Sequence, residues 1–200
     1  MGLIEVAGLS RPKPGEATSG DAWFHHATET ATFIAVVDGL GHGAEATRAA
    51  NLAVAFLREQ LRNDEEPVRL DLLARGLHRE LRHGRGAVAA LAWIDPRADE
   101  IRYVGIGNVE VCLIADLPSR LFSRPGLVGG PRPIHPDVQR TSFSPRSLLV
   151  LHTDGVGPIP AQTIPRLGTC AEIARSLLAG WARPDDDATV VVARRGGGTR

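Results

Sequence analysis

Aspartate meets glycine, or further aspartate, at four places in this chain, and each place lies at one end of an apolar run. Gly20-Asp21 precedes one run, and Asp38-Gly39-Leu-Gly-His-Gly43 closes another. Asp154-Gly155 closes a third, and Asp185-Asp186-Asp187 stands before the last. A single Asp-Gly pair reads as an ordinary turn. Four acids at strand ends, with glycines that let the backbone come close, can instead converge on one edge of a sheet. Carboxylates gathered in one place repel each other unless a cation lies between them. Oxygen-only donors of this kind suit Mg²⁺ or Mn²⁺, whereas zinc would want histidine and cysteine. A competing pattern overlaps the second place: Gly39-x-Gly41-x-x-Ala44 satisfies the dinucleotide-binding fingerprint. It ranks lower for two reasons. Asp38 would put like charge beside a pyrophosphate, and a second helix follows where a βαβ unit needs a parallel strand.

Those acids require strands to carry them. Short strands are predicted over 3–9 and 21–28, separated by a Pro/Gly turn region, and a β-branched strand over 32–37 stops at Asp38. From His42 the period changes to i, i+3, i+4, i+7, with Ala49, Leu52, Ala53, Phe56, Leu57 and Leu61 on one helix face ending near Asn63. Leu70, Leu73, Ala74, Leu77 and Leu81 repeat that signal, closed by His83-Gly84. Strands resume over 87–94, 101–105 and 109–115. Residues 116–136 form a Pro/Gly-rich connection bordering the site. Strands over 138–143 and 148–152, a helix through Ile173–Trp181 and a strand over 188–193 complete the order. Paired helices between blocks of hairpin-connected strands predict an α+β layered domain. That single domain is expected to span 1–194, with 195–200 a disordered tail.

Composition narrows the function classes. The chain has 200 residues, with Lys+Arg 23 against Asp+Glu 23 and a hydrophobic content of 43%. That is long and apolar enough for one core and too balanced for disorder. Zero net charge argues against a broadly basic nucleic-acid binder or an anionic-membrane binder. Cys112 and Cys170 have no metal spacing and cannot make a disulfide framework, which places the protein in a reducing cytoplasm. Neither a signal peptide nor a membrane span is expected.

Taken together, Ser19-Gly-Asp21, Val36-Val-Asp-Gly-Leu-Gly-His-Gly43, His152-Thr-Asp-Gly155 and Asp186-Asp-Ala-Thr189 resemble the ordered motifs of the phosphatase 2C (PPM) superfamily. Their short forms are similar to its bacterial sporulation- and stress-regulatory, SpoIIE-type branch. Arg85-Gly-Ala-Val-Ala-Ala and Val104-Gly-Ile-Gly-Asn-Val109 add to the likeness, which covers residues 15–193. The resemblance implies a four-layer αββα sandwich of two mainly antiparallel sheets flanked by helices. It implies two divalent cations, Mn²⁺ or Mg²⁺: Asp38 bridging both, the Gly39 carbonyl on one, Asp154 and Asp186 on the other, and Asp21 acting at the second. Asp38 and Asp154 would serve catalysis through a metal-bound water that attacks phosphorus. The implied activity is hydrolysis of phosphoserine or phosphothreonine on STAS-domain, stressosome-type proteins, by a cytoplasmic monomer that binds neither nucleic acid nor membrane. A catalytically inactive phosphatase-like binding module is the alternative.

Some neighbours stay outside the implied set. The register Asp-Asp-Ala-Thr favours Asp186 over Asp185 as ligand and makes Asp187 its neighbour. Glu16 stands where many relatives carry a phosphate-holding arginine, and Arg11 lies further upstream. His42 reads as a loop residue, and Asn108 as a turn residue near the site.

Overall fold

The structure, a computed structural model, describes residues 4–63, 68–116 and 120–196. Two runs, residues 33–37 and 188–193, are buried at every position, as expected of strands covered on both faces. Alternation then decides what each face meets. In β3 (Thr32–Gly39), Phe33, Ala35 and Val37 pack toward helices, while Ile34 and Val36 pack toward the other sheet. In β10 (Ala188–Arg195), Val190 and Val192 face a helix and Val191 and Ala193 face the first sheet.

One sheet has the order β2 (Asp21–Ala27), β3, β4 (Ala87–Asp95), β5 (Glu100–Ile106), β7 (Ser123–Arg124), with β8 (Gln139–Ser142) also pairing with β5. The other has the order β1 (Ile4–Arg11), β10, β9 (Leu148–His152), β6 (Glu110–Ile114). Every pairing is antiparallel except β5 with β7. Helices α1 (Ala44–Gln60) and α2 (Leu70–Glu80) cover the first sheet, and α3 (Cys170–Trp181) covers the second. The result is the expected αββα sandwich, with one core between the sheets and one under each helical layer. α1 lies close on β3 because the first turns of its buried face are small, Ala46, Ala49, Ala50 and Ala53, before Leu57. A Cβ on Gly39 would strike the Ala46 carbonyl, so only glycine admits that approach. α3 starts at a capping box, Thr169 with Glu172.

Several boundaries differ from the sequence expectations. The last strand runs on through Arg194 and Arg195, which pair with Glu5 and Ile4 of β1. Arg195 is therefore strand rather than tail, while residues 197–200, like Leu3, lie outside the described residues. Long-range ion pairs explain the extension: Arg194 Nε to Glu5 Oε2 at 3.0 Å and Arg195 Nη2 to Asp99 Oδ1 at 2.7 Å. The 116–136 connection contains the short parallel strand β7, held by Gly107 N–H donating to the Arg124 carbonyl at 2.8 Å. α1 starts at Ala44 rather than His42, after Gly43 at φ 75°. The dinucleotide reading fails on topology: β3 has only antiparallel neighbours, β2 and β4. No described helix is long and apolar enough to cross a membrane.

Candidate metal centre

The parity of β3 places the first acid. Ile34, Val36 and Asp38 share a face, so the apolar seam between the sheets ends in a carboxylate. Directly across the pairing, Asp21 of β2 is the register partner of Asp38. The facing sheet ends in hydroxyls on the same seam, Thr153 just after β9 and Thr189 in β10. Thr153 Oγ1 donates to Asp21 Oδ2 at 2.7 Å and accepts from the Thr189 N–H at 3.0 Å. One buried threonine thus joins the two sheets at the point where their shared core turns polar.

The other acids come from loops at this edge. Asn108 Nδ2 donates to Asp154 Oδ2 at 2.6 Å, so the turn after β5 orients the acid after β9. Asp187 is buried, and both its oxygens are taken by backbone amides: Lys13 N–H at 2.8 Å and Gly20 N–H at 2.9 Å. Asp186 accepts from the Asp187 N–H at 2.9 Å and remains partly exposed. Arg11 donates to the Arg183 carbonyl and, at 3.4 Å, to the Asp186 carbonyl, bracing that loop. Gly155 packs so closely that a Cβ there would collide with the Asp187 carbonyl oxygen.

The electrostatics show what this convergence costs. Burial pushes the Asp38 carboxyl up from 3.8 to about 8, and Asp21, Asp154, Asp186 and Asp187 push it the same way. Burial raises Asp21 to about 7 against the lowering effect of hydrogen bonds from Thr153 and Thr189. Asp186 is raised too, by burial and then by Asp154 and Asp187. Such a cluster calls for positive charge. The donors are all oxygen, which fits hard divalent cations. Among the described residues, no three His, Cys, Asp or Glu side chains are closed on a common point ready to grip an ion. The acids converge without forming a finished cage.

Asp21, Asp38, Asp154 and Asp186 therefore share one edge, with Gly39 buried beside Asp38 and donating its N–H to the Gly20 carbonyl at 3.0 Å. Asp185 is exposed, and Asp187 is committed to the backbone of the N-terminal arm. His42 is exposed, its Nδ1 3.1 Å from Glu16 Oε1. His152 is buried, its Nδ1 at 3.0 Å from the Thr153 carbonyl oxygen, and burial lowers its pKa. Sequence reasoning missed Thr153, Thr189 and Arg85. The Arg85 guanidinium reaches the glycine loop after Asp38, its Nη1 lying 2.9 Å from where a Cβ on Gly41 would sit. The Leu40 N–H clamps that loop to the Gly86 carbonyl at 3.1 Å.

The αββα sandwich with acids at one edge of its paired sheets has the phosphatase 2C-like fold that the motifs implied. Comparisons agree. Residues 28–196 match the family model "Stage II sporulation protein E (SpoIIE)", and the chain belongs to that family. A structure from work on the bacterial stressosome, a modular system adapted to control secondary messenger signaling, is 34% identical. It has a TM-score of 0.87, over 96% of this chain and 100% of that one. RsbX in complex with magnesium shares the fold at 22% identity and TM-score 0.82, over 96% of each chain. The serine/threonine phosphatase PstP with two manganese ions does so at 20% identity and TM-score 0.73, over 96% of this chain and 98% of that one. The phosphatase domain of SpoIIE from Bacillus subtilis is 18% identical with TM-score 0.80, over 100% of this chain and 65% of that one. No curated protein matches the sequence.

Proposed function

We propose that this chain is a Mn²⁺- or Mg²⁺-dependent serine/threonine phosphoprotein phosphatase acting on phosphorylated STAS-domain, stressosome-type regulators in the cytoplasm. The observation that carries the reading is the cost of the site itself. A half-buried carboxyl whose register partner is Asp21, and which burial and four neighbouring acids raise to about 8, is a liability unless a cation uses it. The magnesium and manganese complexes of RsbX and PstP support the choice of ion, and the stressosome relative supports the choice of partner.

Asp38, Asp154 and Asp186 would hold two cations, with the Gly39 carbonyl on one and Asp21 at the second. Bound there, divalent cations supply an acidity that brings water to hydroxide near neutral pH and a positive charge to offset phosphoryl oxygens. The chain's own residues prepare the ligands. Asn108 turns Asp154, Thr153 fixes the rotamer of Asp21, and Asp187 ties the N-terminal arm so that Asp21 faces Asp38. Arg85, beside the Gly41 loop, would donate to a phosphoryl oxygen. No enzyme nucleophile is required, because an in-line attack by water needs positioning and charge.

Purified protein is expected to hydrolyse a phosphoaryl ester and a phosphorylated STAS protein with Mn²⁺, and Asp154→Ala is expected to abolish both. Wild-type protein as inert as that variant on both substrates would sink the proposal. Mn²⁺ binding by calorimetry without turnover would instead favour a phosphatase-like binding module.

A further inference from the structure

Arg75 and Arg79 of α2 and Arg82 just beyond it are spaced i, i+4, i+7, so they share one face of the helix. All three are exposed, as is Arg132 in the connection after β7. Among the described residues none of the four forms an ion pair, whereas Arg124 nearby is held by Asp137 at 2.7 Å. Asp71, one turn before Arg75, is already engaged by Arg69 at 2.9 Å. A chain whose charges cancel overall therefore gathers unpaired arginine in one place.

This face borders a concavity. Arg75, Arg79 and Arg82 line a depression of about 240 Å³ together with Pro133 and Ile134. Pro133 and Ile134 also line a larger apolar cavity of about 520 Å³, which reaches Leu127 and Ile106. Ile106 ends β5, and two residues further on Asn108 holds Asp154. The surface is anchored from below, since the Gly129 N–H donates to buried His78 Nδ1 of α2 at 3.1 Å. An apolar groove thus meets the row of arginines at Pro133 and Ile134, and its Leu127 packs beside Gly86, whose carbonyl accepts from the Leu40 N–H in the loop after Asp38.

We infer that this groove docks an acidic segment of the phosphoprotein substrate: its apolar side chains in the cavity, its carboxylates on Arg75, Arg79, Arg82 and Arg132. The inference rests on the phosphatase reading and deepens it by naming a partner chemistry. Guanidinium groups form forked bonds with carboxylates, and arginine clusters are a recurrent means of reading acidic motifs. An apolar pocket adjoining the arginines suits an extended peptide better than a polynucleotide backbone, which offers no side chain to fill it.

The test uses the full chain with Mn²⁺ and three substrates: a phosphoserine peptide flanked by Asp and Glu, the same peptide flanked by Asn and Gln, and a phosphoaryl ester. Wild-type enzyme should prefer the acidic peptide, and salt should erase the preference. Combined Arg75→Glu, Arg79→Glu and Arg82→Glu should lower kcat/KM on the acidic peptide about ten-fold through KM, as expected for several exposed pairs together. The neutral peptide and the ester should be unaffected, and Arg132→Glu alone should show the same pattern more weakly. No preference in wild type, or an equal loss on the ester, overturns the inference. If wild type hydrolyses none of the three, the phosphatase reading fails, and fluorescence anisotropy with the labelled acidic peptide decides the docking question. Binding lost on charge reversal supports the groove, and unchanged binding overturns it. Tighter binding to duplex DNA or to phosphatidylserine vesicles than to the acidic peptide also overturns the choice of partner.

Discussion

Replacing Asp38 with asparagine should stabilise the metal-free protein while destroying its response to metal. In the unfolded chain this carboxyl ionises near 3.8, and in the folded protein it holds its proton until about 8. At pH 7 the folded state must therefore protonate a group that the unfolded state leaves ionised. Three units at about 1.4 kcal/mol each set an upper bound of about 4 kcal/mol. Asp21 carries part of the same repulsion, and exposed water screens some of it, so about 2 kcal/mol is the working figure. The asparagine amide would keep the shape and need no proton. For a chain of this size the melting temperature should rise by about 4–8 °C in EDTA.

The sign with pH follows from the raised folded value. Below about pH 4 the wild-type carboxyl is protonated in both states and the gap closes. Between about 4 and about 8 the folded state binds more protons than the unfolded one, so wild type loses stability as pH rises and the gap widens. Scanning calorimetry of both proteins from pH 5 to pH 8 cancels the titration of the groups that are not coupled to Asp38. Added Mn²⁺ should raise the wild-type melting temperature by mass action and leave the variant nearly unmoved. An Asp38→Asn protein no more stable than wild type at pH 7.5 in EDTA, or a gap that does not shrink toward pH 5, would refute the reasoning.

Two further outcomes are expected. Thr153→Val removes a donor to Asp21 and an acceptor for the Thr189 N–H, both buried, and should cost about 2–3 kcal/mol in urea unfolding; Thr153→Ser should recover most of it. Arg85→Ala should raise KM for a phosphoaryl ester and weaken inhibition by inorganic phosphate about ten-fold, with Mn²⁺ binding by calorimetry unchanged.

Much of this architecture was legible in residue order, because burial on both faces of β3 and β10 leaves an unmistakable apolar run, and helices α1, α2 and α3 carry clear 3.6-residue periods. The acids were legible for a local reason: Asp38 continues the alternation of Ile34 and Val36, so the strand itself aims it into the seam. The sequence favoured Asp186 over its neighbours only by the register Asp-Asp-Ala-Thr, whereas the commitment of Asp187 to the Lys13 and Gly20 amides needs the folded chain. What one strand cannot disclose is what the opposite sheet presents. Thr153 and Thr189 look like ordinary strand residues until the two sheets face each other. The contact of Arg85 with the Gly41 loop depends on a turn at φ 90°, which no periodicity encodes. Strand β7 is only two residues long and sits among prolines and glycines, and the last strand outran its apolar run because Glu5 and Asp99, far away in sequence, pair with its arginines.

The pairing of β1 with β10 joins residues at opposite ends of the sequence, and the acid edge inherits that span. Asp21 and Asp38 belong to the first fifth of the chain, and Asp186 to its last tenth. During synthesis, then, the ribosome releases the early acids long before their late partner exists. Strand β10 lies between β1 and β9, so the second sheet stays split until that segment arrives. Contacts this distant in sequence form slowly. A chain cut short before β10 consequently lacks Asp186 and the strand that joins β1 to β9, so its seam is unfinished.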